Sequence, residues 1–390
     1  MEMTLLAPPP LALYAHFPWC VQKCPYCDFN SHKAPTQIPE QRYVDALLED
    51  LALDIAANSD ALTSRPLVSI FFGGGTPSLF SPEAIAHLLA GISRCLPLNA
   101  DTEITLEANP GTVEHGQFAA YRAAGINRVS LGAQSFDPEQ LKKLGRIHGS
   151  GDIAASVDEL RRAGIDNFNL DLMYGLPGQS IEQALSDLWQ AIALAPTHLS
   201  HYQLTLEPGT PFFHRPPALP DGEDCYAMQL QCQALLAEAG YRQYEVSAYA
   251  QAGRQSVHNR NYWEFGDYLG LGAGAHGKLT LNDSIIRTER HKQPRVYLES
   301  SVQERLVLCQ AVARDDLPFE FMLNALRLVN GFDQSLFESR TGIAWSYLTA
   351  ELAQARKREL LADLRGRWYP TELGRRFLND LMGIFLSDRQ

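Results

Sequence analysis

Cysteine is sparse, basic charge is outnumbered, and no long hydrophobic run interrupts the 390 residues. Each shortage removes a class of protein. With 33 Lys and Arg against 45 Asp and Glu the net charge is −12, which excludes a global attraction to nucleic acid or anionic lipid. No stretch reaches the roughly 18 apolar residues of a membrane span. The opening MEMTLLAPPP has neither the basic start nor the apolar segment of a signal peptide. Apart from Pro8–Pro10 there is no low-complexity tract, and no internal repeat. Seven cysteines are an odd number, and three of them fall between Cys20 and Cys27. That is poor disulfide usage and good metal usage, and it predicts a cytoplasmic, reducing location. Cys95, Cys225, Cys232 and Cys309 are scattered and read as small core residues on helices.

What is there is an ordinary globular composition, 45% hydrophobic and 20% charged, in a chain long enough for one large domain and a smaller one. Short apolar runs at Leu11–Phe17, Leu67–Phe72, Glu103–Ala108, Arg128–Ala133, Asn167–Met173 and His198–Leu206 read as strands. Helical periodicity fills the gaps at Gln41–Asn58, Pro82–Leu96, Ile153–Ala163 and Ile181–Leu194. Such β-α alternation predicts an α/β fold with a parallel sheet, either doubly wound or an open, partial TIM-like barrel. Functional residues then gather at the carboxyl ends of strands. From about Pro294 the texture becomes helical, with helices expected over Ser301–Ala313, Glu320–Asn330 and Trp345–Glu359 and a hairpin at Leu360–Pro370. The expected division is a core over 1–240, an extension over 241–293 and a helical, winged-helix-like domain over 294–390. Arg356, Lys357 and Arg358 read as a solvated helix face, not a nucleic-acid patch.

Cys20-x3-Cys24-x2-Cys27 follows the first strand. Three thiolates on one short loop bind three corners of an iron–sulfur cube and leave the fourth iron open. Zinc is the competing metal, with His16 or His32 as its fourth ligand. Downstream, Phe72-Gly-Gly-Gly-Thr-Pro77 is a glycine-rich turn at a strand end, where backbone groups can approach a ligand closely. Glu107, Gln134 and Asp171 are polar residues at or near later strand ends, where a purely structural strand would not need them.

The cysteine loop, with Tyr26 before its last cysteine, resembles the radical S-adenosylmethionine (SAM) superfamily signature. The resemblance implies a [4Fe–4S] cluster on Cys20, Cys24 and Cys27, with SAM chelating the open iron and cleaved reductively to a 5′-deoxyadenosyl radical. The ordered set GGGTP, TLEANP, LGAQSF, LGRIHG and DLMYGLPGQ is similar to the oxygen-independent coproporphyrinogen III dehydrogenase branch, over about residues 11–280. It implies SAM contacts from Tyr14, Tyr26, Gly74, Gly75, Thr76, Glu107, Gln134, Arg146 and Asp171, with Thr205 and His276 as further candidates. Glu107 and Asp171 suit the ribose hydroxyls, and the Arg146 fork suits the SAM carboxylate.

Two departures separate this chain from the dehydrogenases, which carry a further cysteine after the cluster motif and a longer extension before the first strand. Here Asp28-Phe29-Asn30 follows Cys27, and Tyr14 stands near the start. Both features, and His258-Asn-Arg-Asn-Tyr-Trp263, resemble the sister group, the HemW-type heme chaperones. That resemblance implies heme as a third cofactor, with His258 as an axial ligand and Tyr262 and Trp263 as flat faces for the porphyrin; taken without it, His258 reads as a hydrogen-bonded loop histidine and the two aromatics as core. The partner implied is a heme-accepting client such as a respiratory enzyme. The alternative is catalysis: radical decarboxylation of two propionates of coproporphyrinogen III. A bare binding module with a degenerate cluster is disfavoured by the intact cysteines and glycine turn.

Overall fold

Two-residue alternation decides which way each strand faces. In β1 (Leu11–Phe17), Leu11, Leu13, Ala15 and Phe17 enter the main apolar core, while Tyr14 and His16 face a cavity. The computed structural model describes residues 8–111 and 116–386, so the reading of Met1–Ala7 lies outside it. Within it, β2 (Leu67–Gly74), β3 (Leu98–Ala108), β4 (Arg128–Gln134), β5 (Phe168–Tyr174) and β6 (His198–Gln203) follow β1 in spatial and sequence order, all parallel. The intervening helices include α1 (Glu40–Ala57), α2 (Pro82–Cys95), α3 (Phe118–Ala124), α4 (Ser150–Arg162) and α5 (Ile181–Ala193). A strand order that never reverses is that of a partial (β/α)6 barrel; a doubly wound sheet would change direction at a switch point.

The outward residues of these strands are apolar and pack under the helices, as with Ile70, Phe72, Val129, Leu131, Leu170 and Leu199. The inward ones are polar: Arg128 and Ser130 on β4, Asn169 and Asp171 on β5, His198 and Ser200 on β6. The hollow of the barrel is therefore a site and the main core lies outside it.

Both ends of the parallel run are extended. After α6 (Gly222–Glu238), β7 (Arg242–Glu245) and β8 (Ala248–Ala250) add to β6, β8 lying next to it. After α7 (Val257–Trp263), β9 (Asp267–Leu271) pairs parallel with β1, and β10 (His276–Thr280), β11 (Ile285–Arg290) and β12 (Leu306–Ala311) continue antiparallel. Among the described residues the result is a 12-stranded sheet. Buried Arg290 fastens this extension to the barrel through both Asp54 carboxylate oxygens, each at 2.8 Å.

The helix expected over Ser301–Ala313 is corrected. Ser301 and Glu304 do form a capping box, but the helix covers only Val302–Arg305 before the chain becomes β12. The free edge of β11 takes up the chain's backbone groups, and pairing outweighs the local helix signal. Two cysteine readings also change. Cys225 and Cys232 are buried, but Cys95 is exposed at the last position of α2 and Cys309 is exposed on β12, a strand and not a helix.

Beyond β12 a smaller, mainly helical unit has its own aromatic core of Phe321, Phe332, Phe337, Trp345 and Trp368. It contains α8 (Leu317–Ala325) and the expected hairpin, Leu361–Leu364 with Arg367–Pro370. Arg356 and Arg358 pair with Asp363 and Asp380 at 3.4 and 3.5 Å on the surface. No helix among the described residues is long and apolar enough to cross a membrane.

Candidate functional site: two cavities with a common wall

The first cavity lies at the carboxyl ends of the strands. Cys20, Cys24 and Cys27 line it, with Tyr26, Gly74, Gly75, Thr76, Glu107, Gln134, Arg146 and Asp171. Backbone geometry explains the glycines. Gly74 has φ +114°, a left-handed conformation, and its N–H donates to Glu107 Oε2 at 3.0 Å. A Cβ on Gly75 would stand 2.6 Å from the Trp19 carbonyl oxygen, so no larger residue fits where β2 passes the cysteine loop. Thr76 is tied to that loop by its N–H, 2.8 Å from the same oxygen.

Arg146 faces the thiols. Its Nη1 donates to Cys24 Sγ at 3.6 Å and its Nη2 to the Gly132 carbonyl at 2.7 Å and to Asn109 Oδ1. Its Nε is buried without a hydrogen-bond partner among the described residues. The fork is thus committed largely to protein acceptors, and a carboxylate would meet an edge and not the open fork. Burial pushes the Glu107 carboxyl up to about 7, helped by the Asp171 charge and opposed by the Gly74 N–H. Asp171 is also raised by burial, against hydrogen bonds that include Ser130 Oγ at 2.9 Å and Asn169 Nδ2 at 2.8 Å.

The donor set fits a cluster better than a single ion. Among the described residues no three His, Cys, Asp or Glu side chains converge to hold one metal ion. The two histidines considered for zinc are engaged elsewhere. His16 bonds Tyr14 Oη and the Asn30 carbonyl, both at 2.9 Å, and His32 bonds Asn30 Oδ1 at 3.1 Å. Three thiols on one loop, opening onto a cavity with a guanidinium beside them, match a cube whose irons lie apart and whose fourth corner has no protein ligand.

The second cavity, of about 900 Å³, runs along the barrel hollow. It shares Phe29, Ser31, Gly74, Glu107, Ser130 and Asp171 with the first. Tyr14, Phe71, Tyr262, Trp263, Phe265 and Tyr268 give it aromatic walls. His258 sits in that wall, 1% exposed, its ring 4.9 Å from Phe71. Both its nitrogens are hydrogen-bonded, Nδ1 to Ser69 Oγ and Nε2 to Tyr262 Oη, each at 2.9 Å. Burial, reinforced by the Arg128 charge, lowers its pKa to about 3, so the ring is neutral.

The residues expected around SAM therefore divide. Tyr14 and His276 line the second cavity, not the first, and the His276 side chain is exposed at its mouth. Thr205 lines neither: β6 ends at Gln203, and Thr205 is exposed beyond it. Tyr202 takes the place expected of it, lining the first cavity and donating to Gln134 Oε1 at 2.7 Å. Sequence reading also missed Asn109, His148 and the inward polar row. The available signal was polar residues at every second position of strands flanked by helices, a pattern that a buried parallel strand does not otherwise need.

Residues 14–188 match the radical SAM superfamily, and residues 312–377 match the HemN C-terminal domain. Over 381 residues the chain is 49% identical to the heme chaperone HemW of Haemophilus influenzae, covering 97% of this chain and 99% of that one. The chain belongs to the HemW family. The heme chaperone HemW of Escherichia coli is 48% identical over the same shares, and that of Bacillus subtilis 32% over 96% and 99%. Among solved structures, coproporphyrinogen III oxidase (HemN) from Escherichia coli, a radical SAM enzyme, matches with a TM-score of 0.81 over 97% of this chain and 90% of that one. At 24% identity this establishes a shared fold.

Proposed function

We propose that this protein is a heme chaperone of the cytoplasm that passes heme to a client such as a respiratory, membrane-associated enzyme. The observation that carries the reading is the common wall: the thiol-lined cavity opens onto an aromatic hollow large enough for a macrocycle. Relatives at 49% and 48% identity that bear the name heme chaperone support it. Cys20, Cys24 and Cys27 would hold the [4Fe–4S] cluster, and Tyr26, Gly74, Gly75, Thr76, Glu107, Gln134, Arg146 and Asp171 would surround SAM. When bound, the cluster supplies an electron and an open iron position. The chain itself orients Glu107 through the Gly74 N–H and keeps Arg146 against the thiols. In this reading 1–240 is the core, the extension runs through β12 instead of stopping at 293, and the remainder is the helical unit.

His258 is the residue we assign to hold heme. His258 would hold the heme iron through Nε2, which bonds the Tyr262 hydroxyl here, while Ser69 on Nδ1 would orient the ring. The test uses anaerobically reconstituted protein titrated with heme by absorbance. His258→Ala should weaken heme binding about tenfold or more, the scale of a lost strong bond, with iron and SAM binding unchanged. His276→Ala should not. Full affinity in the first variant removes His258, and loss in the second transfers the role to the mouth. SAM-dependent turnover of coproporphyrinogen III by the same preparation would overturn the chaperone reading in favour of the dehydrogenase.

A further inference from the structure

Several cations line the second cavity, and nearly all are already engaged. Lys23 Nζ donates to the Phe29 and Ser31 carbonyls at 3.1 and 3.0 Å, and Lys278 Nζ donates to Asp267 at 2.9 Å. Lys292 lies 3.2 Å from Glu289, and Arg287 donates to Tyr268 Oη at 2.7 Å and to Glu320. Arg128 differs. Its residue is 2% exposed, yet Nε has no hydrogen-bond partner among the described residues. The carboxylate paired with it, Glu103, stands 3.8 Å from that nitrogen, outside hydrogen-bonding range.

Glu103 is also occupied. It accepts from the Val257 and His258 N–H groups, both at 3.1 Å, and from Ser256 Oγ at 3.4 Å. A buried guanidinium with an unmet donor is costly unless an anion or water meets it. Its neighbours in the hollow include His198 and His258, whose pKa values it helps to lower, and the carboxyls of Glu107 and Asp171, whose ionised forms its charge favours without a hydrogen bond to either among the described residues.

We infer that Arg128 is the anion-recognising residue of this cavity and takes one propionate carboxylate of the bound tetrapyrrole. The inference rests on the heme reading above. A macrocycle-borne carboxylate is favoured over a small free one because the same cavity is walled by Tyr14, Phe71, Tyr262 and Trp263, which a lone small acid would leave uncovered. A guanidinium–carboxylate contact also orients the macrocycle in a cavity that His258 lines as well.

The test compares ferric protoporphyrin IX with its dimethyl ester, which keeps the ring and iron but removes both carboxylates. The intact reconstituted protein should prefer the diacid by about tenfold or more, the scale of a charge-assisted hydrogen bond. Arg128→Met should bring the diacid down to the affinity of the ester and leave the ester unchanged, and Arg128→Lys should keep part of the preference. Equal binding of both compounds by the intact protein overturns the inference, whether or not Arg128→Met folds. So does an undiminished preference in a folded Arg128→Met. Failure of the intact protein to bind either compound refutes the heme reading itself, a distinct result.

Discussion

Glu107 stands where two demands meet. Its carboxyl is buried near Asp171 at the mouth between the cavities, and the Gly74 N–H and the more distant Arg128 charge support its ionised form. Its pKa rises from an ordinary 4.5 to about 7. The native state thus retains a proton that the unfolded chain releases, so the contribution to stability is complete below about pH 4.5 and is lost as pH rises through about 7. Glu107→Gln stays neutral throughout. The melting temperature of the ligand-free variant, relative to the parent, should therefore climb between pH 5 and pH 8. A constant difference across that range would show that the carboxyl is already ionised in the folded protein at pH 5.

At the scale of elements, α7 brings the His258 motif to the cavity, and a distant strand holds it there. Glu103 on β3 accepts two N–H groups of the first turn of α7 and the Ser256 hydroxyl before it. A carboxylate at a helix start meets both the unpaired donors and the positive end of the helix dipole. The strand is inside the sheet, paired on both sides, so the helix start is fixed to a strand with neighbours on either edge. Glu103→Gln should cost roughly 1–3 kcal/mol in urea unfolding, the range for buried hydrogen bonds to a charged group. A change under about 0.5 kcal/mol, the range of an ordinary surface substitution, would mean that packing alone seats α7.

The whole molecule closes its second cavity with the carboxyl-terminal unit. Asn324 on α8 lines that cavity. Arg327, just beyond, pairs with Glu245 at 3.2 Å and lies 4.3 Å from the Trp263 ring centroid. Glu320 on the same helix holds Arg287. Arg327→Ala should loosen this closure: faster amide exchange in α8, a loss of roughly 1–3 kcal/mol from the buried Glu245 left without its ion pair, and weaker heme retention with the cluster intact. Unaltered exchange in α8 would show that the aromatic core of the unit holds it without this contact.

The sequence alone determined what depends on local spacing. The cysteine loop, the glycine turn and the β-α alternation were legible because three close thiols, three adjacent glycines and a two- or 3.6-residue period are properties of neighbouring positions. Tertiary structure decided what depends on where partners end. Thr205 fell outside because β6 leaves the sheet where β5 stops: Leu204 N–H caps the Tyr174 carbonyl at 2.9 Å and the chain turns away. Ser301–Ala313 became mostly strand because β11 offered an open edge. Tyr14 passed to the second cavity because inward side chains of parallel strands meet across a barrel, at distances no local pattern records. Arg128 was hidden for the same reason. Within its strand it is one of three polar residues, with Ser130 and Gln134, and only closure of the hollow reveals a buried cation with a donor left over.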